Sequence, residues 1–273
     1  MTEADSAFAS ASVCAFLCAV SLLGCASVPS QTVVPVAATP MESMNRPAVI
    51  LRPVLSGTQA IVVTTSSWES TRGTLRRYQR DSIGASWLGV GSAVPIVVGA
   101  TGLAWGFDEI SRAAGDPVKR EGDGKAPAGV FALDTAFGFA PASTASWIRL
   151  PYVPIVEGTE CVDDTASAHY NTVIDRRAAL RVDWRSAEHM RRIDQYRLGV
   201  IVAYNSTPPR AGRGSCIFLH IWGGPDVPTS GCTAMPERDL TSLVLWLDRR
   251  AQPTLVQLPE SEYARLRGEW ALP

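Results

Sequence analysis

An excess of charge is the first thing this chain lacks: 25 Lys and Arg stand against 26 Asp and Glu, a formal net charge of −1. With no global field to draw in nucleic acid or an anionic membrane surface, nucleic-acid binding gets no support. Histidine is scarce, three in 273 residues. Cys and His nowhere form a close-paired zinc pattern, so no metal is expected, and no cofactor motif is present. Internal repeats are absent. So is an apolar run long enough to cross a bilayer as a helix: "ASVCAFLCAVSLL", residues 11–23, is too short to span and suits the apolar core of an export signal.

What is present is 46% hydrophobic and 19% charged residues, enough to bury one sizeable core in one large domain or two small ones. Residues 1–24 read as a signal peptide. Leu22, Leu23, Gly24 and Cys25 resemble the lipobox of bacterial lipoproteins, which implies acylation of Cys25 and a periplasmic protein held to a membrane only through that N-terminal lipid anchor. The segment before the apolar run departs from the export pattern, with Glu3 and Asp5 and no Lys or Arg. Residues 25–57, rich in Ser, Pro, Thr, Ala and Val, suit a tether or arm, followed by a domain over 58–262 and a tail over 263–273.

Within the domain, short apolar runs separated by Gly, Pro and Asp predict strands over 59–64, 93–98, 129–133, 196–204, 216–222 and 254–258. "ERDLTSLVLWLD" from Glu237 predicts a helix: Leu240, Leu243, Val244 and Leu247 share a face, and Pro236, Glu237 and Asp239 mark its start. "RSAEHMRRI" around Glu188 predicts a second, shorter one, with Glu188 and His189 as a surface pair of no assigned role. Strands dominate. The expected fold is mainly β with a few helices, its sheet closed or sandwiched to protect the edges.

"HIWGGPDVPTSGC" is the stretch where chemistry is concentrated, placing His220 at a strand end and Cys232 just before the helix. A thiol becomes a strong nucleophile once a base removes its proton, and the small residues Thr229, Ser230, Gly231 and Thr233 leave backbone N–H groups free to stabilise an oxyanion. Spacing alone leaves three readings open: a thiol with its base, part of a metal site, or two structural residues. Asp226, beside Pro225 and Pro228, reads as a turn residue. After export and lipidation three cysteines remain, Cys161, Cys216 and Cys232, and two of three can pair in an oxidising compartment.

"GRGSCIFLHIW" followed by "PTSGCTAMP" resembles the active-site block of the L,D-transpeptidase catalytic domain family, also called YkuD-like. "GLAWG" at 102–106, "KREGDGKAPAGVF" at 119–131 and "CVDDTASAHYN" at 161–171 are similar to further blocks of its proteobacterial branch, and the resemblance covers roughly residues 57 to 260. It implies a β-sandwich-like domain in which Cys232 attacks an L,D peptide bond of a peptidoglycan stem peptide. His220, oriented by a backbone carbonyl, takes the thiol proton and later activates the acceptor amine of a second stem. Stem peptides are then the partners, and carbapenem-type inhibitors could acylate the same thiol. The product would join diaminopimelate to diaminopimelate, or L-alanine to diaminopimelate. With water as acceptor the same scaffold would be an L,D-carboxypeptidase or would release wall-linked lipoprotein; without chemistry it would be a peptidoglycan-binding module.

Two positions depart from the family pattern: Ser230 stands where many members have histidine, and Ala234 where many have an arginine that holds the substrate. Arg213 or Arg210 is a candidate to replace that charge, and Tyr204, Asn205, Trp222 and Thr229 are candidates to line the cleft. Asp163, Asp164 and His169 could contact a substrate amine or form an Asx-turn. With Cys232 as nucleophile, Cys161 and Cys216 are the candidate disulfide, two buried free thiols being the alternative. Period-two counting along the expected strand puts Cys216 on the face of His220. If His220 must be neutral, acylation should fall as pH drops through roughly 6 to 7.

Overall fold

The computed structural model describes residues 55–106 and 115–273. The expected export signal, the Cys25 lipidation site and the tether up to residue 54 lie outside the described residues. The chain runs through β1 (Gln59–Thr65), β2 (Arg72–Gln79), β3 (Leu88–Val97), β4 (Leu103–Trp105), β5 (Ala126–Gly138) and β6 (Tyr152–Pro154). It continues through β7 (Thr159–Val162), β8 (Val173–Asp175), β9 (Ala187–His189), β10 (Leu198–Val202), β11 (Phe218–Ile221) and β12 (Thr233–Met235). Helix α1 (Glu237–Trp246), β13 (Thr254–Pro259) and α2 (Glu260–Leu266) complete it.

The fold is mainly β, and its large sheet closes. The strands follow the order β10-β11-β12-β3-β2-β1-β13-β5, and β5 pairs again with β10 to complete a ring of eight, with β4 and β6 attached to β5. Of the two ways of protecting sheet edges that the strand pattern allowed, closure is the one adopted, and the ring is not split into two stacked sheets. Its interior holds Leu75, Leu103, Trp105, Phe131, Leu133 and Leu219, all nearly inaccessible. Helix α1 sets Leu240, Leu243 and Val244 into this core and has Glu237 and Asp239 in its first turn, where the helix dipole favours acids.

Three boundaries differ from expectation. Residues 263–273 are not a tail: Leu266, Trp270 and Leu272 are buried in the main core, and the Trp270 ring meets Trp105 edge-on at 6.4 Å. Residues 55–57 belong to the fold as well, since the buried Arg80 guanidinium donates to the carbonyls of Leu55 and Gly57. The "RSAEHMRRI" helix does not form. Ala187–His189 is strand β9, paired with β7, and a single 3-10 turn, Met190–Arg192, follows.

β7, β8 and β9 make a separate small sheet in the order β8-β7-β9. Its buried carboxylate, Glu160, is satisfied by Trp184 Nε1 at 2.6 Å, Arg176 at 3.1 Å and His189 Nδ1 at 3.0 Å. A disulfide joins Cys161 on β7 to Cys216, with Cα atoms 5.9 Å apart and a sequence separation of 55. Closing a loop of that length stabilises the fold by about 4 kcal/mol in the chain-entropy view. Cys216 lies outside β11 with φ 56, so period-two counting does not apply to it; its N–H is held by Asn171 Oδ1 at 2.9 Å instead of by the ladder.

Candidate active site

His220 is set by β11, whose four residues are all buried. It faces Gly199 on β10 and Ala234 on β12. Glycine is required at 199 because a Cβ there would stand 2.3 Å from the Phe137 ring. The imidazole is 7% exposed, and Nδ1 lies 2.7 Å from the Ile221 carbonyl oxygen. A carbonyl can only accept, so Nδ1 carries the proton and Nε2 keeps the lone pair of a base. Burial pushes the imidazole down to about 4, outweighing the opposing hydrogen bond to Ile221. At neutral pH the ring is an uncharged base.

Cys232 arrives beside β11 because β12 pairs with it in parallel, which requires the chain to cross back over the 222–232 loop before re-entering the sheet. Gly231, at φ 152 and with Lys125 O 3.0 Å from where a Cβ would stand, lets the chain turn into the sulfur's position. The thiol donates to Cys216 O at 3.3 Å, receives the Phe218 N–H at 3.3 Å, and interacts with the Tyr196 hydroxyl. Burial pushes the thiol well above the ordinary range, and the charge of Glu188 adds to that; the Phe218 N–H, Lys119 and Tyr196 oppose it. The resting pair is therefore neutral thiol and neutral imidazole. An acid limb at pH 6 to 7 is corrected accordingly, since a base held at about 4 stays neutral through that interval.

Both residues open on one cavity of about 500 Å³. Cys216, Thr229, Ser230 and Gly231 line it with them. Thr229 braces the backbone at Cys232: its hydroxyl donates to Cys232 O at 2.6 Å and accepts from Gly231 N at 3.1 Å. Gly231 N–H is thus engaged in this geometry, while the Thr233 hydroxyl turns away to Gln257 Oε1 at 2.6 Å. Ser230 stands exposed at the rim.

The other candidates are placed elsewhere. Tyr204 is buried against Phe131, and its hydroxyl donates to Arg213 O. Asn205 holds the same loop through Arg210 and Gly214. These are braces of the 205–214 loop, and neither they nor Arg213 and Trp222 are among the cavity-lining residues. Asp226 pairs with Arg72 on the surface. Asp164 caps a turn through Ala166 N and Arg185 N, and His169 meets Trp184 edge-on at 5.3 Å, whereas Asp163 lines the cavity.

The cavity also holds residues to which no sequence motif assigns a role. Tyr196 bends into the 3-10 turn Asp194–Arg197 before β10, its ring 5.2 Å from that of His220. Its hydroxyl donates to Glu188 Oε2 at 2.7 Å. Glu188, Glu121 and Lys119 complete the charged part of the lining. Among the described residues no group of three or more His, Cys, Asp or Glu converges to hold a metal ion.

Comparison of the chain with family models, with curated proteins and with solved structures gives no match in any of the three. The site's own geometry therefore carries the functional reading.

Proposed function

We propose that this protein is a cysteine-dependent acyltransferase acting on peptidoglycan stem peptides, an L,D-transpeptidase. One observation carries the reading: Cys232 and His220 open on a single cavity, with His220 Nδ1 committed to a backbone carbonyl so that Nε2 is left as a base. The resemblance of five sequence stretches to the L,D-transpeptidase catalytic domain supplies the substrate class, and the closed sheet is read as this chain's form of that domain. Export to the periplasm and a lipid at Cys25 belong to the same reading.

In the first half-reaction Cys232 attacks the carbonyl carbon of the L,D bond while His220 Nε2 takes the thiol proton. The resting thiol donates to Cys216 O, so it must swing from that carbonyl towards the imidazole as substrate enters. The imidazolium then protonates the leaving amine, and a thioacyl enzyme remains. An acceptor amine attacks it, the C–S bond breaks, and the thiol is regenerated.

Incubation of the purified chain with defined tetrapeptide and pentapeptide muropeptides, followed by mass analysis, tests this. A cross-linked dimer is the expected product. A shortened stem alone makes the protein a hydrolase, and unchanged muropeptides remove the proposed substrate.

A further inference from the structure

Of the charged side chains that line the cavity, Lys119, Glu121, Asp163 and Glu188, the first two are already engaged. Glu121 Oε2 accepts the hydroxyls of Tyr170 and Ser215, and Lys119 Nζ donates to Asp123 Oδ1 at 2.6 Å and Arg120 O at 2.7 Å. Two carboxylates retain capacity. Asp163 Oδ1 is buried with no hydrogen-bond partner among the described residues. Glu188 receives one hydrogen bond, from Tyr196, and that same hydroxyl interacts with the Cys232 sulfur. β9 places Glu188 opposite Cys161, so the disulfide that holds Cys216 beside the sulfur also ties down the strand bearing this carboxylate.

We propose that Glu188 receives a primary ammonium group of the acyl acceptor and takes its first proton, which directs the acyl enzyme towards amines and away from water. The assignment rests on the acyl-enzyme reading above and adds to it a residue outside the Cys232 and His220 pair. Aminolysis of a thioester by an ammonium must shed two protons, and one imidazole cannot accept both at once. In the proposed sequence the ammonium gives a proton to the Glu188 carboxylate, leaving a neutral amine and a carboxylic acid. The amine nitrogen attacks the acyl carbon, the C–N bond forms, and collapse breaks the C–S bond with the electron pair passing to sulfur. The second nitrogen proton reaches that sulfur through His220 Nε2, and Glu188 returns its proton to solvent.

The surroundings of Glu188 suit this task. Burial, helped by the negative Asp163 and Glu121 and opposed by Tyr196, pushes its carboxyl up to about 7, where a group exchanges protons readily at neutral pH. Lys119, Cys232 and His220 are the other titratable groups lining the cavity, and the latter two are neutral at rest. Neutralising Glu188 also removes one of the charges that oppose negative sulfur, so the thiolate leaves more easily once the acceptor has docked.

The test compares wild type with Glu188→Gln, acylated by a tetrapeptide stem and then given either a tripeptide stem ending in a diamino acid or hydroxylamine, which is largely uncharged at neutral pH. The amide is compatible with folding because it removes a charge that burial disfavours. Transfer to the diamino-acid stem is expected to fall at least about tenfold relative to hydroxamate formation on the same acyl enzyme, while acylation persists, since loss of the carboxylate charge eases thiolate formation. The wild-type transfer rate should rise through about pH 7, and the variant should lack that limb. An equal fall for both nucleophiles, or no fall for either, overturns the assignment. A wild type that is never acylated sinks the acyl-enzyme reading itself, and the role of Glu188 with it.

Discussion

The two walls of the cavity are built on different terms. One belongs to the closed ring, where His220 sits within β11 and Cys232 just before β12, both almost inaccessible; ladder pairing on either side fixes His220, and the Thr229 hydroxyl holds the Cys232 carbonyl. The other comes from the small β8-β7-β9 sheet and the turn before β10, which contribute Glu188, Asp163 and Tyr196 and are stapled to the ring's approach by the Cys161–Cys216 bond. The ring wall is apolar and keeps the Cys232 thiol and the His220 imidazole uncharged. Carboxylates are concentrated on the small-sheet wall. A neutral pair beside a charged wall teaches that bond-making and partner choice can be assigned to different parts of the chain, and can be damaged separately.

His220→Ala gives the largest expected effect after loss of the nucleophile itself. Removing the proposed base should slow acylation by roughly 10²- to 10⁴-fold, measured as the rate of adduct formation by mass. A smaller loss would mean that the small-sheet wall also serves the first half-reaction, which would blur the division. Next comes the staple: replacing Cys161 and Cys216 together by serine should lower stability by about 2–4 kcal/mol in denaturant titrations, with transfer to an amine suffering more than acylation.

pH separates the walls in opposite directions. His220 is held at about 4 against an ordinary 6.5, so the folded state resists its protonation and stability is lost as pH falls from about 6.5 towards 4. Glu188 is raised from 4.5 to about 7, so its contribution has the reverse sign and is lost as pH rises through that interval. Thermal melts from pH 4 to 8 should therefore show Glu188→Gln gaining on wild type with rising pH, and His220→Gln gaining as pH falls. Acylation itself should stay level down to about pH 5. Slow alkylation of Cys232 at neutral pH distinguishes a neutral thiol from a preformed thiolate, which would give the same level profile. The smallest effect belongs to the rim: Arg72 and Asp226, each 69% exposed, form a surface pair whose removal should change stability by less than about 0.5 kcal/mol.

Much of the ring wall was legible in the sequence. β1, β13 and α1 announce themselves by continuous apolar runs or helical spacing, and "CIFLHIW" and "SGC" carry His220 and Cys232, which open on one cavity. β2 was missed because "RGTLRRYQ" buries only Leu75 and carries three arginines on a strand interior to the sheet order. The small-sheet wall was harder for a different reason. Strands of three or four residues leave no periodicity to count, so Glu188 read as a helix surface residue when the disulfide and β7 in fact turn it into the cavity. Tyr204 and Asn205 carried the right polarity for a cleft but are consumed by the loop they hold together, a distinction that only three-dimensional hydrogen bonding makes. Tyr196 was assigned to a strand two residues too early, which hid the turn that aims its hydroxyl at Glu188.

The central claim is that Cys232 becomes acylated with His220 as base. Its most direct measurement is the intact mass of the protein after incubation with a tetrapeptide stem, followed by mapping of the modified peptide. A stem-derived increment on Cys232, accompanied by release of the terminal D-amino acid and absent from a folded Cys232→Ala variant, is the expected result. No increment, or one that persists in Cys232→Ala, would contradict it.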